Sequence, residues 1–304
     1  MLAHQPMRIR ISGYNNDEPE DYERLFKIAN AIRSSGNDVL FDFNECQFLA
    51  QNTIAFMGGL TAWIIFKKRK VSYSLEGISS AVRKHINDNG FLEAFQIGNN
   101  TGHVKDTAVP FKIDVKQDEI GFINYLLNNW LLTSRIDIGD DLKQLLVACV
   151  SEAYLNVFHH ANSPIGVSIC GQYFPNKQEL DITLIDFGVG IPYNVNNFLP
   201  NSLTSPKALL WALKGNTTTT HGMARGLGLK ILKNFVQRNS GKLEIYSDTG
   251  YVLIDKDGEK SYEISTPFNG TVIQVTLRCD WNHYNLEGFL GEISPSLPLF
   301  GRRP

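Results

Sequence analysis

Cysteine is scarce in this sequence, and no cysteine stands in a metal-binding pattern. The four cysteines, Cys46, Cys149, Cys170 and Cys279, are scattered, with no CxxC pair and no histidine at ligand spacing. This excludes a zinc site of the usual spacing and predicts free thiols rather than a disulfide framework. Residues 1–10 also lack the apolar core of a signal peptide. Both absences favour a cytoplasmic location.

Excess charge and long hydrophobic runs are missing as well. The net charge of −2 gives no electrostatic reason to expect nucleic acid or an anionic membrane as a partner. The longest apolar run, residues 54–66, contains glycine and threonine and is too short to span a bilayer. What remains is ordinary for a globular protein: 304 residues, 43% hydrophobic and 20% charged. That length predicts about two domains.

The first hundred residues alternate between strand-like and helix-like patterns. Runs rich in β-formers at 7–12, 38–43 and 71–75 are separated by helical periodicity at 18–35, 53–68 and 79–88. Strands that alternate with helices predict an open α/β sheet. No glycine-rich nucleotide loop follows any of these strands, so we expect no catalytic site in this part of the chain.

Residues 35–95 resemble a STAS domain, the fold of anti-sigma-factor antagonists. The shared pattern is a strand ending in aspartate, an apolar step, a helix, a strand, a helix and then Gly-Phe. Such domains often carry a phosphorylatable serine at the start of the helix after the apolar step. Here residues 50–53 read Ala-Gln-Asn-Thr. The resemblance therefore implies a docking or scaffolding role toward a protein partner rather than a phosphate switch.

The second half is organised around the stretch 140–161, in which apolar residues recur at helical spacing. Glu152 and Asn156 lie four residues apart and so project from one side of that helix. An amide oxygen can ligate a hard cation, and a carboxylate can take a proton from an attacking oxygen. Taken alone, the pair also fits the plain surface of an amphipathic helix.

Two glycine-containing turns follow further along the chain. Asp186 ends a predicted strand over 179–186 and is followed by Gly188 and Gly190. A carboxylate there can accept a hydrogen bond from an exocyclic amine, and glycines let a flat base approach the backbone. Gly226 and Gly228 open a predicted helix over 227–238, whose N-terminus suits an anion. Each motif alone is also compatible with an ordinary turn.

Taken in order, these motifs resemble the GHKL ATPases, a group that includes gyrase, histidine kinases and anti-sigma serine kinases. The resemblance covers about residues 120–279, and the sequence SEAYLNVFHHA is similar to the anti-sigma kinase version. It implies a two-layer α/β sandwich, with a mixed sheet covered by helices on one face, that binds ATP and Mg²⁺. We divide the chain into a STAS-like domain (1–98), a linker (99–112) and a GHKL domain (113–304) with a lid at about 192–225.

The resemblance also implies a role for each motif residue. Asn156 would ligate Mg²⁺, and Glu152 would be the general base. Asp186 would read the adenine amine, with Thr271 in support. The remaining assignments are to glycines and one leucine: Gly188 and Gly190 would border the base, and Gly226, Gly228 and Leu229 would meet the phosphates. His159 and His160 are expected to be structural, and a histidine kinase is set aside because the predicted helix over 120–134 lacks a histidine.

Two functions are compatible with these assignments. The first is ATP hydrolysis or phosphate transfer to a protein serine or threonine, in a regulatory partner-switching role. The alternative is a binding module in which ATP only closes the lid and recruits a partner. The partner would dock on the STAS-like domain or on the lid, and a homodimer stays open. Residues 248–268 are interpreted as an inserted hairpin without an assigned role.

Overall fold

The computed structural model describes residues 5–13, 18–97, 107–134, 136–214, 228–280 and 282–285. These residues form an α/β protein with a three-stranded sheet in its first part and a five-stranded sheet in its second. We call these parts the N-terminal module (residues 5–97) and the C-terminal module (residues 107–285). Within the described ranges, no helix combines the length and apolar character needed to cross a bilayer.

The N-terminal module alternates strands and helices as the sequence predicts. Its elements are β1 (Met7–Arg10), α1 (Pro19–Ser34), β2 (Val39–Asp42), α2 (Gln51–Phe66), β3 (Val71–Ser74), α3 (Ser80–Asp88) and α4 (Phe91–Ala94). The strands pair in the order β1-β2-β3, and both pairings are parallel. Ser79 caps α3 by accepting a hydrogen bond from the Val82 N–H at 3.2 Å, which explains where this helix begins.

The C-terminal module contains the larger sheet. Its elements are β4 (Ala108–Asp114), α5 (Glu119–Tyr125), α6 (Asp140–Asn156), β5 (Val167–Phe174), β6 (Glu179–Asp186), α7 (Ile191–Phe198), α8 (Ser205–Ala212), α9 (Gly228–Arg238), β7 (Lys242–Asp255) and β8 (Gly258–Arg278). Helix α5 continues as a π-helical segment, Leu126–Leu131, and α6 ends in a π-helical turn, Val157–Ala161. The strand order is β4-β5-β6-β8-β7.

The prediction of a mixed sheet was wrong, because every neighbouring pair in this five-stranded sheet is antiparallel. Short turns join β5 to β6 and β7 to β8, and a short turn reverses the direction of the chain. The predicted hairpin over 248–268 is present, with its turn between Asp255 and Gly258. Its two arms are continuous with β7 and β8, and the pairing changes register near Asp248.

Two further boundaries differ from the predicted ones. Residues 108–112, expected in the linker, belong to β4, where Ala108 pairs with Gln172 of β5. The first part of the segment predicted as a lid, about 192–225, holds the helices α7 and α8. In α8 the cap position is Thr204, and the hydroxyl of Ser205 donates to Asp248 at 2.5 Å. This side-chain bond ties α8 to β7.

Both faces of the antiparallel sheet are buried. Strand alternation sends Ile182 and Leu184 toward α6 and α9 of the same module, and it sends Ile185 toward the N-terminal module. Helices α1 and α2 cover this second face, so its cover comes from outside the C-terminal module. On this face β6 also carries the buried polar residues Asp181 and Thr183.

The contact between the modules is close and contains specific polar bonds. Phe26 of α1 stacks on Phe268 of β8 with ring centroids 4.6 Å apart. In α2, a Cβ atom at Gly58 would lie 2.2 Å from the ring of Phe111, so only glycine lets the helix approach this closely. Gln51 donates from Nε2 to the Thr183 hydroxyl at 3.0 Å. The two modules therefore share the hydrophobic core between them, and a second core lies within the C-terminal module.

Candidate functional site

A cleft in the C-terminal module opens between α6, α7, α8, the start of α9, the end of β6 and the middle of β8. Six of the residues singled out from the sequence line it: Glu152, Asn156, Asp186, Gly190, Leu229 and Thr271. They come from four elements and the loop before α7, so folding brings distant motifs together. The other lining residues are Ala153, Val157, His160, Ala161, Ile191, Asn194, Val195, Trp211, Ala212 and Ile273.

Helix α6 and its π-helical turn form one wall of the cleft. The turn ends at Asn162, which adopts the left-handed conformation with φ 51°. The carbonyl of Ala161 then accepts a hydrogen bond from the Val189 N–H at 2.8 Å, which docks the loop after β6 onto the end of the helix. Short π-helical segments often occur at functional sites because they change the direction of the following side chains.

Gly188 lies behind the cleft rather than on its wall. A Cβ atom at this position would lie 1.9 Å from the Ala161 carbonyl oxygen, so the loop can dock only with glycine here. The Gly188 N–H donates to Oδ1 of Asp186 at 2.8 Å. Gly188 therefore shapes the loop and orients Asp186; the role predicted for it beside a base stays a prediction.

Asp186 lies at the base of the cleft and is only 3% exposed. Burial raises the pKa of its carboxyl group to about 7, because a buried carboxylate loses the solvation of its charge. Hydrogen bonds from the Gly188 N–H and from the hydroxyl and N–H of Thr271, together with the positive charge of Arg33, act in the opposite direction. The site thus holds a buried acceptor for a ligand that brings a hydrogen-bond donor.

Ser247 connects the strands and the loop around Asp186, although the sequence offered no signal for it. Its hydroxyl donates to the Gly270 carbonyl at 2.7 Å and accepts from the Ile191 N–H at 3.0 Å. Gly190, with φ 82°, passes so close that a Cβ atom would lie 2.5 Å from the Ser247 oxygen. These contacts fix the part of β8 before Thr271 against the start of α7.

At the other end of the cleft, Glu152 contacts the start of α9. Its Oε2 accepts a hydrogen bond from the Gly228 N–H at 2.8 Å. A Cβ atom on Gly228 would lie 2.5 Å from the same oxygen, so glycine permits this contact. The first N–H groups of a helix lack partners within the helix and attract anions, which explains why a carboxylate binds here. Gly226 and the lid residues 215–225 lie outside the described residues.

The apolar walls of the cleft were missed in the sequence. Ile191 and Val195 lie one turn apart on α7, and Trp211 comes from α8. The spacing of four between the two aliphatic residues is a helical signal that could have revealed α7. Asn194, on the same helix, donates from Nδ2 to the His160 carbonyl at 3.0 Å and so joins α7 to the end of α6.

The residues present suit a cation that is held only partly by protein. Among the described residues, no group of three or more His, Cys, Asp or Glu side chains could hold a metal ion by itself. Asn156 lines the cleft one helical turn from Glu152, and its side chain has one amide oxygen. Mg²⁺ commonly takes few protein ligands and completes its shell with phosphate and water, so one amide is compatible with it.

Comparison with models of known protein families and with curated proteins found no match to this chain.

Proposed function

We propose that this chain is an ATP-binding protein of the GHKL type that acts with Mg²⁺. In this proposal it hydrolyses ATP or transfers phosphate to a serine or threonine of a partner protein. One observation carries the proposal: Glu152, Asn156, Asp186 and Thr271, selected from the sequence for separate roles in nucleotide binding, line one cleft. Chance motifs spread over the chain would have no reason to converge in this way.

The deep end of the cleft suits a purine with an exocyclic amine. Asp186 offers a buried oxygen as an acceptor, and Ile191, Val195 and Trp211 offer apolar surface for a flat ring. An ionised carboxylate only accepts hydrogen bonds, so it pairs with an amine and repels a carbonyl. We therefore expect ATP to bind more tightly than GTP.

The shallow end suits phosphates. The start of α9 lies beside Glu152 and Asn156, and N–H groups at a helix N-terminus stabilise negative charge. Bound Mg²⁺ would neutralise phosphate charge, with the Asn156 amide oxygen as its ligand from the protein. The carboxylate of Glu152 would accept the proton of the attacking water or hydroxyl.

The alternative function is a binding module that ATP switches without being consumed. The hydrogen bond between Glu152 and the Gly228 N–H supports this alternative, because it gives the carboxylate a structural role that does not require catalysis. A glutamate that joins α6 to α9 would couple occupancy of the cleft to the position of α9. Measurement of turnover distinguishes the two functions.

The STAS-like resemblance contributes the regulatory part of the proposal, namely docking of a partner protein. Residues 51–53 at the start of α2 are buried against the C-terminal module, and Thr53 is only 1% exposed. A hydroxyl at that depth is closed to a kinase, which supports docking rather than phosphate switching. The partner protein, a homodimer and a cytoplasmic location remain parts of this proposal.

The test compares turnover and affinity in two variants. Glu152→Gln keeps an oxygen that can accept from the Gly228 N–H but cannot take a proton. We expect it to bind Mg·ATP normally and to lose about 10²–10⁴-fold in turnover. Asn156→Ala should weaken binding itself because a metal ligand is lost. Asp141→Asn, which removes an exposed carboxylate from the same helix, is the matched control.

The outcomes separate the candidates. Normal turnover in Glu152→Gln would contradict the role of Glu152 as a base. Binding of ATP without hydrolysis or phosphoprotein in the wild type would leave the switch as the function. Absence of ATP binding by calorimetry, in protein that is folded by circular dichroism, would overturn nucleotide binding altogether.

A further inference from the structure

Arg33 of the N-terminal module contacts strand β8 close to Asp186, the residue at the bottom of the cleft. It lies in the last turn of α1, and its Nη2 donates to the Asn269 carbonyl at 2.8 Å. The guanidinium also packs over aromatic rings, with Cζ 5.4 Å from the centroids of both Trp63 and Phe187. Neither module alone holds this arrangement.

The guanidinium group of Arg33 is buried with only part of its hydrogen-bonding capacity satisfied. Its Nε and Nη1 atoms are buried and have no hydrogen-bond partner. Burial of an unsatisfied polar group costs free energy, so packing alone does not favour an arginine at this position. The benefit comes from electrostatics, because the positive charge of Arg33 interacts favourably with the buried carboxylate of Asp186.

The hydrogen bond to Asn269 acts on the same part of the cleft. Asn269 lies in β8 where the pairing with β7 changes register, and the next residue, Gly270, lies against the Asp186 carbonyl: a Cβ atom at Gly270 would lie 2.2 Å from that oxygen. Thr271, which follows, donates to the Asp186 carboxylate. Arg33 therefore acts on Asp186 both through charge and through the position of this part of β8.

We propose that Arg33 is a specificity-determining positioning residue, which favours the ionised, acceptor-only form of Asp186 and so the selection of an amino-purine over an oxo-purine nucleotide. This inference rests on the proposed nucleotide site. A protonated carboxyl group also donates, so it would pair with the carbonyl of an oxo-purine. Without Arg33, protonation of Asp186 becomes easier, and the site loses its preference.

Other charged groups near the cleft do not replace Arg33. Glu152 from α6 and His160 from the π-helical turn line the cleft, whereas Arg33 lies on the α1 side of the sheet. Glu152 carries charge of the same sign as Asp186 and so favours its protonated form. His160 would favour the ionised form only where it carries a proton itself. Arg33 is the group whose positive charge persists at every pH used in a binding experiment.

The experiment measures the affinities of ATP and inosine triphosphate in the full chain by calorimetry. Inosine triphosphate carries a carbonyl where ATP carries the amine. Arg33→Met should lower the ratio of ATP to inosine triphosphate affinity by about tenfold, the change that one pKa unit of Asp186 represents. Arg33→Lys keeps the charge and should retain most of the ratio. Arg24→Met, an exposed arginine of the same helix, is the control.

A second readout separates electrostatics from a merely structural role. In Arg33→Met, a rise in pH from about 6 to about 9 should ionise Asp186 and restore much of the ratio. Equal loss of both affinities in Arg33→Met, with no recovery at high pH, would overturn the proposal. If Arg33→Met fails to fold, an unchanged ratio in Arg33→Gln would overturn it instead. Wild type that is folded but binds neither nucleotide would reject the proposed function itself, and this inference with it.

Discussion

Replacement of Asp186 by asparagine should change how the stability of the protein depends on pH. Burial raises the pKa of this carboxyl group from 3.8 in its ordinary state to about 7 in the folded protein. The folded state therefore holds a proton that the unfolded state has released between these two values. The stabilisation that this group contributes is fully present below its pKa in the unfolded state, and it is lost as the pH rises through its pKa in the folded state. Asparagine cannot ionise and removes that loss.

The size of the effect follows from the difference between the two pKa values. Each pH unit between them costs about 1.4 kcal/mol of unfolding free energy, because one pKa unit represents that amount. Between about pH 5 and about pH 8, the wild type should lose roughly 2–3 kcal/mol relative to Asp186→Asn. The pH-independent cost of replacing a hydrogen-bonded carboxylate shifts both measurements equally and does not affect this difference.

Urea denaturation of wild type and Asp186→Asn at these two pH values measures the effect. Asp141→Asn, which removes an exposed carboxylate from α6, controls for the general effect of one charge on stability. Relative to Asp186→Asn, the wild type should become less stable by roughly 2–3 kcal/mol as the pH rises from about 5 to about 8. A difference that is constant from acid to alkaline buffer would refute the description of Asp186 as a buried group that resists ionisation.

Three further predictions concern packing and the cleft. Phe26→Ala should lower the free energy of unfolding by about 3–5 kcal/mol in urea denaturation, because the Phe26 ring stacks on Phe268 between the modules. The control Phe48→Ala should cost far less, because the Phe48 side chain is 45% exposed. Gly188→Ala should lower both melting temperature and ATP affinity, because the added methyl would collide with the Ala161 carbonyl, and unchanged values would contradict the close docking of this loop. ATP should change the tryptophan fluorescence through Trp211, and Trp211→Phe should abolish that change; a signal that survives would place the source elsewhere.

Element order could be predicted from sequence because it depends on local patterns. Helical spacing and strand alternation located α1, α2, α6 and β6 to within a few residues, since these periods follow from backbone geometry. That distant motif residues would share a site was implied only by the resemblance to the GHKL ATPases, and six of those residues line one cleft. The chemical roles assigned to them stay predictions.

Tertiary structure alone decided what covers the second face of the five-stranded sheet. The alternation in β6 indicates one apolar face and does not show that the other face is covered as well. That cover depends on the fit of distant surfaces, such as Gly58 of α2 against the ring of Phe111. Helix α1 adds a polar contact to the same surface, because the Asn30 side chain donates to the Pro267 carbonyl of β8.

Contacts between distant residues explain the parts of the site that the sequence did not reveal. Ser247, Trp211 and Arg33 belong to no motif, and each matters through a partner far away along the chain: the Gly270 carbonyl, the cleft wall and the Asn269 carbonyl. A local pattern records the backbone preference of a segment, whereas the electrostatics of Asp186 depend on burial and on a charge supplied by another module. The sequence by itself thus determined where the motifs lie, and the folded arrangement decided how they are oriented, enclosed and charged.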